Sequence, residues 1–205
     1  IETFVENNKL KMLHDSVLSQ KLFSIESSFV EDNPTLVREY SDGELFNPET
    51  EIKLLTNDKS GKSGRARWYV AGKDIITTGT EYLDKWKVVV SSANAGGQKR
   101  SNQMAILDNH SAFGRARVAL KTFNTKKEAQ NFFAYAQSKL IRFAFLMTDE
   151  SLTSLALKVP DILDYSDKNK FIDFKSDIDQ QLFDLFKISS VEQKHIEEVL
   201  ARKEE

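Results

Sequence analysis

The chain has 205 residues, 40% of them hydrophobic and 29% charged, with a formal net charge of −2 and no cysteine. A chain of this kind folds as one large domain or two small ones, and it excludes disulfides, thiolate zinc sites and a cysteine nucleophile. No run of about 18 apolar residues occurs, so no membrane partner or spanning helix is expected, and no charged-then-apolar leader opens the sequence. A reducing cytoplasm is the expected setting, and a start at Ile1 rather than Met is expected of a piece of a longer protein.

The small net charge conceals an uneven distribution. Residues 1–52 carry 4 basic and 11 acidic side chains, whereas 53–121 carry 13 basic and 5 acidic. Segment 122–148 is mildly basic and 149–205 is acidic again. A basic middle third creates a local positive field whatever the overall balance, and a polyanion-binding face is the expectation it raises.

In chain order, the first segment has Leu10, Leu13, Val17 and Leu18 at helical spacing and reads as helix or mixed structure. Turn signals follow at Asn33-Pro34 and Ser41-Asp42-Gly43. Residues 51–55 read as a strand and DKSGKSG (58–64) as an exposed loop; 65–70, 75–78, 85–91, 105–107 and 116–122 are further strands. Thr125 with Glu128 makes a capping box ahead of a long helix over 126–147, whose apolar stripe runs through Phe132, Phe133, Ala136, Leu140, Phe143, Ala144 and Met147. Short helices over 177–186 and 190–200, the second capped by Ser190 with Gln193, close the chain. The expected fold is α+β, with a mixed or antiparallel β section, a long packed helix and C-terminal helices. Residues 1–50 read as an N-terminal segment, either a linker or a helical part of the same domain, and 51–205 as the main domain.

Most motifs for catalysis fail on spacing. Gly61-Lys62-Ser63 resembles the end of a phosphate-binding loop, but Thr56 stands where that loop needs its first glycine and no apolar helix follows. Ala95-Gly96-Gly97 is too little for a dinucleotide fingerprint, and no serine sits in a G-x-S-x-G elbow. His14, His110 and His195 lie far apart and read as solvent-exposed. Two acid patterns match metal-dependent nucleases, in which carboxylates hold the metal and a lysine steadies the phosphate or water. They are Pro160-Asp161 followed by Asp173-Phe174-Lys175, and Asp42 followed by Glu51-Ile52-Lys53; only the second sits on a plausible strand.

The basic island carries a fuller pattern. Lys62, Arg65, Arg67, Lys99, Arg100, Arg115 and Arg117 fall in or beside predicted loops and strands, accompanied by Asn94, Gln98, Asn102, Gln103 and Asn109. Lysine and arginine contact phosphates, arginine reads guanine edges, and Asn and Gln read adenine edges. Lys62, Arg65, Arg67, Gln98, Lys99, Arg100, Asn102, Gln103, Arg115 and Arg117 are therefore the expected contacts to double-stranded DNA.

The order of features adds a family resemblance. EYLDKWKVVVSSANAGG, then ARVALKTFNTKKEAQNFFAYAQSKLIRFAFLM, then KVPDILDYS, then SDIDQQLFDLFKISSVEQKHIEEVL resembles the C-terminal target-recognition region of bacterial restriction–modification adenine-N6 DNA methyltransferases, including fused methylase–endonuclease forms. The matched stretches are 84–90, 123–143, 159–166 and 176–198, and the resemblance spans roughly 50–200. It implies sequence-specific DNA binding without catalysis in this chain. The family's Asn-Pro-Pro-aromatic motif and glycine-rich S-adenosylmethionine loop do not occur here. The resemblance thus implies that the cofactor and the methylating domain, a partner upstream in the parent chain, lie outside this sequence. It also implies a structural connection at Pro160-Asp161. The alternatives are a metal-dependent nuclease using Asp42, Glu51 and Lys53, and a protein–protein module whose acidic ends are the working surface.

Overall fold

Strand β5 (Trp86–Ser91) organises the molecule. The computed structural model describes residues 1–92, 104–147 and 153–204. Consecutive strand residues point to opposite faces, and here both faces are covered. Val88 and Val90 join one apolar cluster with the helices, while Val89 joins a second. β5 lies between β6 (Ala105–Leu107) and β8 (Arg117–Phe123), antiparallel to both. The other cluster is shared with a four-stranded sheet ordered β2 (Val37–Glu39), β4 (Ala66–Gly72), β3 (Glu51–Asn57) and β7 (Ser111–Phe113). β7 runs parallel to β3, and the other pairs in that sheet are antiparallel. The result is α+β in three layers: helices, a three-stranded sheet and a four-stranded sheet.

A bulge in β8 adjusts the helix-facing side. The pairing jumps from Val88↔Lys121 to Val89↔Ala119, leaving Leu120 as the extra residue. Leu120 packs with the helices, and Lys121 still reaches Asp161, its ion-pair partner at 2.7 Å. Asp161 belongs to β9 (Pro160–Asp161), which pairs with β1 (Lys11–Met12). Its carboxylate also accepts the Tyr165 hydroxyl (2.7 Å) and the Leu163 amide (2.9 Å), so a nearly inaccessible acid is fully partnered. Tyr135 donates to the Pro160 carbonyl, and burial raises the hydroxyl pKa of both tyrosines. Pro160-Asp161 is thus an internal tie, not a metal ligand pair.

The helical stripe over 126–147 is present but divided. α3 spans Lys126–Ala136 and α4 spans Lys139–Leu146. Thr125 caps α3 as expected, accepting the Glu128 amide at 3.2 Å. At Ser138 the backbone is extended, and its hydroxyl turns back to the Tyr135 carbonyl (2.6 Å). The first amide of α4, that of Lys139, donates to Asp179 at 2.8 Å. Asp179 lies on α5 (Ile178–Leu185), so the break is held from another helix. α6 spans Ser190–Glu204 and is capped one residue earlier than expected, by a reciprocal Ser189–Glu192 box at 3.2 and 3.1 Å.

Other expectations change locally. Residues 75–78 form no strand; a tight turn over Lys73–Ile75 takes that place. The opening segment is not one helix: α1 (Glu2–Asn7) is followed by β1 and a tight turn at Leu13–Ser16. Residues 1–50 contribute to both cores, Leu13 to the helical one and Phe23 and Ile25 to the sheet pair. A one-turn helix α2 (Phe29–Asp32) precedes β2. His14 is half-buried, its Nδ1 donating to the Leu155 carbonyl at 2.8 Å, and His110 is half-buried near Phe46; only His195 is exposed as expected.

Candidate nucleic-acid interface

β3 fixes where the basic residues gather. Its residue Leu55 is flanked by Trp68 on β4 and Phe113 on β7, and Thr56 then opposes Arg67. The β3–β4 hairpin and the turn after β7 therefore leave the sheet at the same end. The hairpin carries Lys62, Arg65 and Arg67, all exposed. The turn carries Arg115 and leads into Arg117, the first residue of β8, and it is joined to the sheet where the Gly114 amide donates to Leu55 (3.0 Å). A side chain at Gly114 would overlap the Thr56 hydroxyl, so the close approach of turn and strand needs glycine.

The exit of β5 reaches the same rim. Ser92 donates its amide to the Ala116 carbonyl (2.8 Å) and its hydroxyl to the Arg115 carbonyl (2.5 Å). Gln98, Lys99, Arg100, Asn102 and Gln103 follow Ser92 in sequence and lie outside the described residues. Asn109 is not at this rim: it precedes β7, whereas Gly114 follows it.

Local chemistry shapes each arginine. Arg65 folds back on its own loop, donating to the carbonyls of Lys62 (3.2 Å) and Gly64 (3.1 Å). Asp58 accepts the Arg65 amide (2.8 Å) and Arg67 Nε (3.2 Å); the Arg65 amide is the main reason its pKa is lowered. Arg115 pairs with Glu26 at 2.9 Å. Arg117 departs most from expectation. It is half-buried, donates to the Ala116 carbonyl, and has a buried Nε with no partner; burial lowers its pKa. Its guanidinium is partly inserted at this rim rather than extended from it.

The acids at this rim were not anticipated. Besides Glu26 and Asp58, Glu31 accepts both the amide (3.0 Å) and the hydroxyl of Ser60 in the hairpin, which lowers its pKa. The aspartate before the glycine-bearing turn carried a readable signal, since Asp favours hydrogen bonds to nearby turn amides; Glu26 and Glu31 arrive from a distant segment and carried none.

A second cluster joins Lys87 of β5 to Lys53 of β3 through Asp108. Lys87 is inaccessible, and its ammonium donates to the carbonyls of Leu83 (3.1 Å), Lys85 (2.8 Å) and Asp108 (3.3 Å). Burial brings its pKa down to about 7. The Asp108 carboxylate pairs with Lys53 and accepts from Ser111 (2.6 Å) and the His110 amide (3.0 Å); despite burial these bonds lower its pKa. Lys53 is therefore engaged, and Glu51 is held by Arg38 and the Asn47 amide (3.0 Å). Asp42 is exposed on a loop. Among the described residues no group of three or more His, Asp or Glu side chains is placed to hold a metal.

No family model, curated protein or solved structure matches the chain. Among the described residues no helix is long and apolar enough to cross a membrane. An apolar groove of about 740 Å³ lies elsewhere, between α4 and α6, lined by Leu140, Phe143, Met147, Val191 and Ile196.

Proposed function

We propose that this chain is the DNA target-recognition part of an adenine-N6 restriction–modification methyltransferase, acting in a reducing cytoplasm. One observation carries the reading: the hairpin with Lys62, Arg65 and Arg67, the turn with Arg115, the start of β8 at Arg117 and the anchor Ser92 meet at one end of the stacked sheets. Cations from separate segments on a rigid scaffold suit a duplex backbone, with lysines setting register and arginines reaching a groove. Gln98, Lys99, Arg100, Asn102 and Gln103, outside the described residues, stay in this reading as DNA contacts on their residue chemistry alone. S-adenosylmethionine and the flipped adenine belong to an upstream methylating domain of the parent. The engagement of Glu51 with Arg38 and of Lys53 with Asp108 weighs against the nuclease alternative.

The test is equilibrium binding of a short duplex across a salt series. Neutralising about five phosphates gives a steep log–log slope and a loss of about two to three orders of magnitude in affinity between about 50 and 200 mM salt. A flat salt response, or no binding at low salt, overturns the reading.

A further inference from the structure

We infer that Glu26 and Glu31 act as built-in phosphate surrogates that compete with nucleic acid for the rim, an inference that rests on the DNA-binding reading above. Both acids come from the stretch leading through α2, far in sequence from the groups they meet, a guanidinium for Glu26 and the Ser60 amide and hydroxyl for Glu31. Glu26 holds the Arg115 guanidinium at 2.9 Å. Glu31 takes the amide and hydroxyl of Ser60. These are the donors that a phosphate backbone uses: a guanidinium, a hydroxyl and a loop amide. The stretch cannot drift away, because the Arg115 amide donates to the Ile25 carbonyl (3.0 Å) and Phe23 and Ile25 are buried. The backbone that carries Glu26 is therefore anchored beside Arg115.

Both glutamates are exposed, and the Glu26–Arg115 pair is open to solvent on both sides. An exposed pair of this kind is weak. A phosphate flanked by further phosphates displaces it, yet must first overcome it and then tolerate a nearby carboxylate. The acids thereby lower affinity for any polyanion, leaving base-edge contacts to decide which duplex is held. Such repulsion is a general route to discrimination between partners.

The experiment compares duplex binding at low salt for the wild type, Glu26→Gln, Arg115→Ala and the double variant, with Glu31→Gln alongside. Glu26→Gln binds about three- to tenfold tighter, the range of a lost weak pair plus a removed like charge, and Glu31→Gln, which releases no cation, about twofold tighter. The gain from Glu26→Gln falls to less than about twofold in the Arg115→Ala background, because the competition runs through that guanidinium. Glu197→Gln, which makes the same charge change beside Lys139 on the helices, leaves affinity unchanged. If the wild type binds and Glu26→Gln is silent, or its gain is the same without Arg115, the competition is wrong and the DNA reading stands. If none of the proteins binds duplex, both fall.

Discussion

Lys87 makes the stability of this protein depend on pH in an uncommon direction. The ammonium is buried against three carbonyls, and its pKa falls from an ordinary 10.5 to about 7 because desolvation outweighs the attraction of Asp108 and Asp84. Below pH 7 both folded and unfolded chains hold the proton, and the folded state bears the full cost of the desolvated charge. Between about pH 7 and 10.5 only the unfolded chain holds it, so stability rises with pH. The whole difference amounts to about 5 kcal/mol at about 1.4 kcal/mol for each tenfold change in proton affinity. From pH 7 to pH 9 the gain is about 2 kcal/mol. Urea unfolding at a series of pH values between about 6 and 9 measures it. Lys87→Met keeps the linear side chain, removes the titration and flattens the profile. Its absolute stability also reflects three carbonyls left without a donor, so the slope is the readout. A variant with the wild-type slope, or a wild type whose stability is flat over this interval, refutes the reasoning.

Three further outcomes are expected. Gly114→Ala forces a methyl group into the Thr56 hydroxyl and costs about 1–3 kcal/mol; Thr56→Ala removes an unpartnered oxygen and restores much of that loss in the double variant, as thermal melts will record. Asp161→Asn leaves Lys121 uncompensated in a buried network and lowers unfolding free energy by about 3 kcal/mol; a loss below about 1 kcal/mol in urea unfolding would show that the tie between β8 and β9 is weak. Asp179→Ala uncaps α4 and costs about 1 kcal/mol, read as faster exchange of the Lys139 and Leu140 amides with little change at α3.

Elements whose causes are local were legible in the sequence. Val88 to Val90 specify a strand by β-branching, and Thr125 with Glu128 specifies the start of α3. The end of α3 was not legible, since its stripe of apolar residues continues without pause through Ser138. What divides it is Asp179, which meets the Lys139 amide only after α5 has docked. β7 was missed because it is only three residues long and pairs parallel to a strand far away in sequence. The same limit affects charge. Lys53, Lys87 and Lys121 contribute to the basic count of 53–121, yet each is wholly or largely buried and engaged by Asp108, by backbone carbonyls or by Asp161. Composition cannot distinguish inward from outward cations, so the outward field is smaller than the count implies. The gathering of Lys62, Arg65, Arg67, Arg115 and Arg117 at one rim follows from register, which only the fold supplies.

The rim as the face that meets DNA is tested most directly by an amide chemical-shift map. Titrating a short duplex into the labelled protein at low salt should shift resonances in the hairpin 58–67, at Ser92 and in the turn 114–117, while α4 and α6 stay unperturbed. Shifts confined to the apolar groove between α4 and α6, or none at all, would contradict the account.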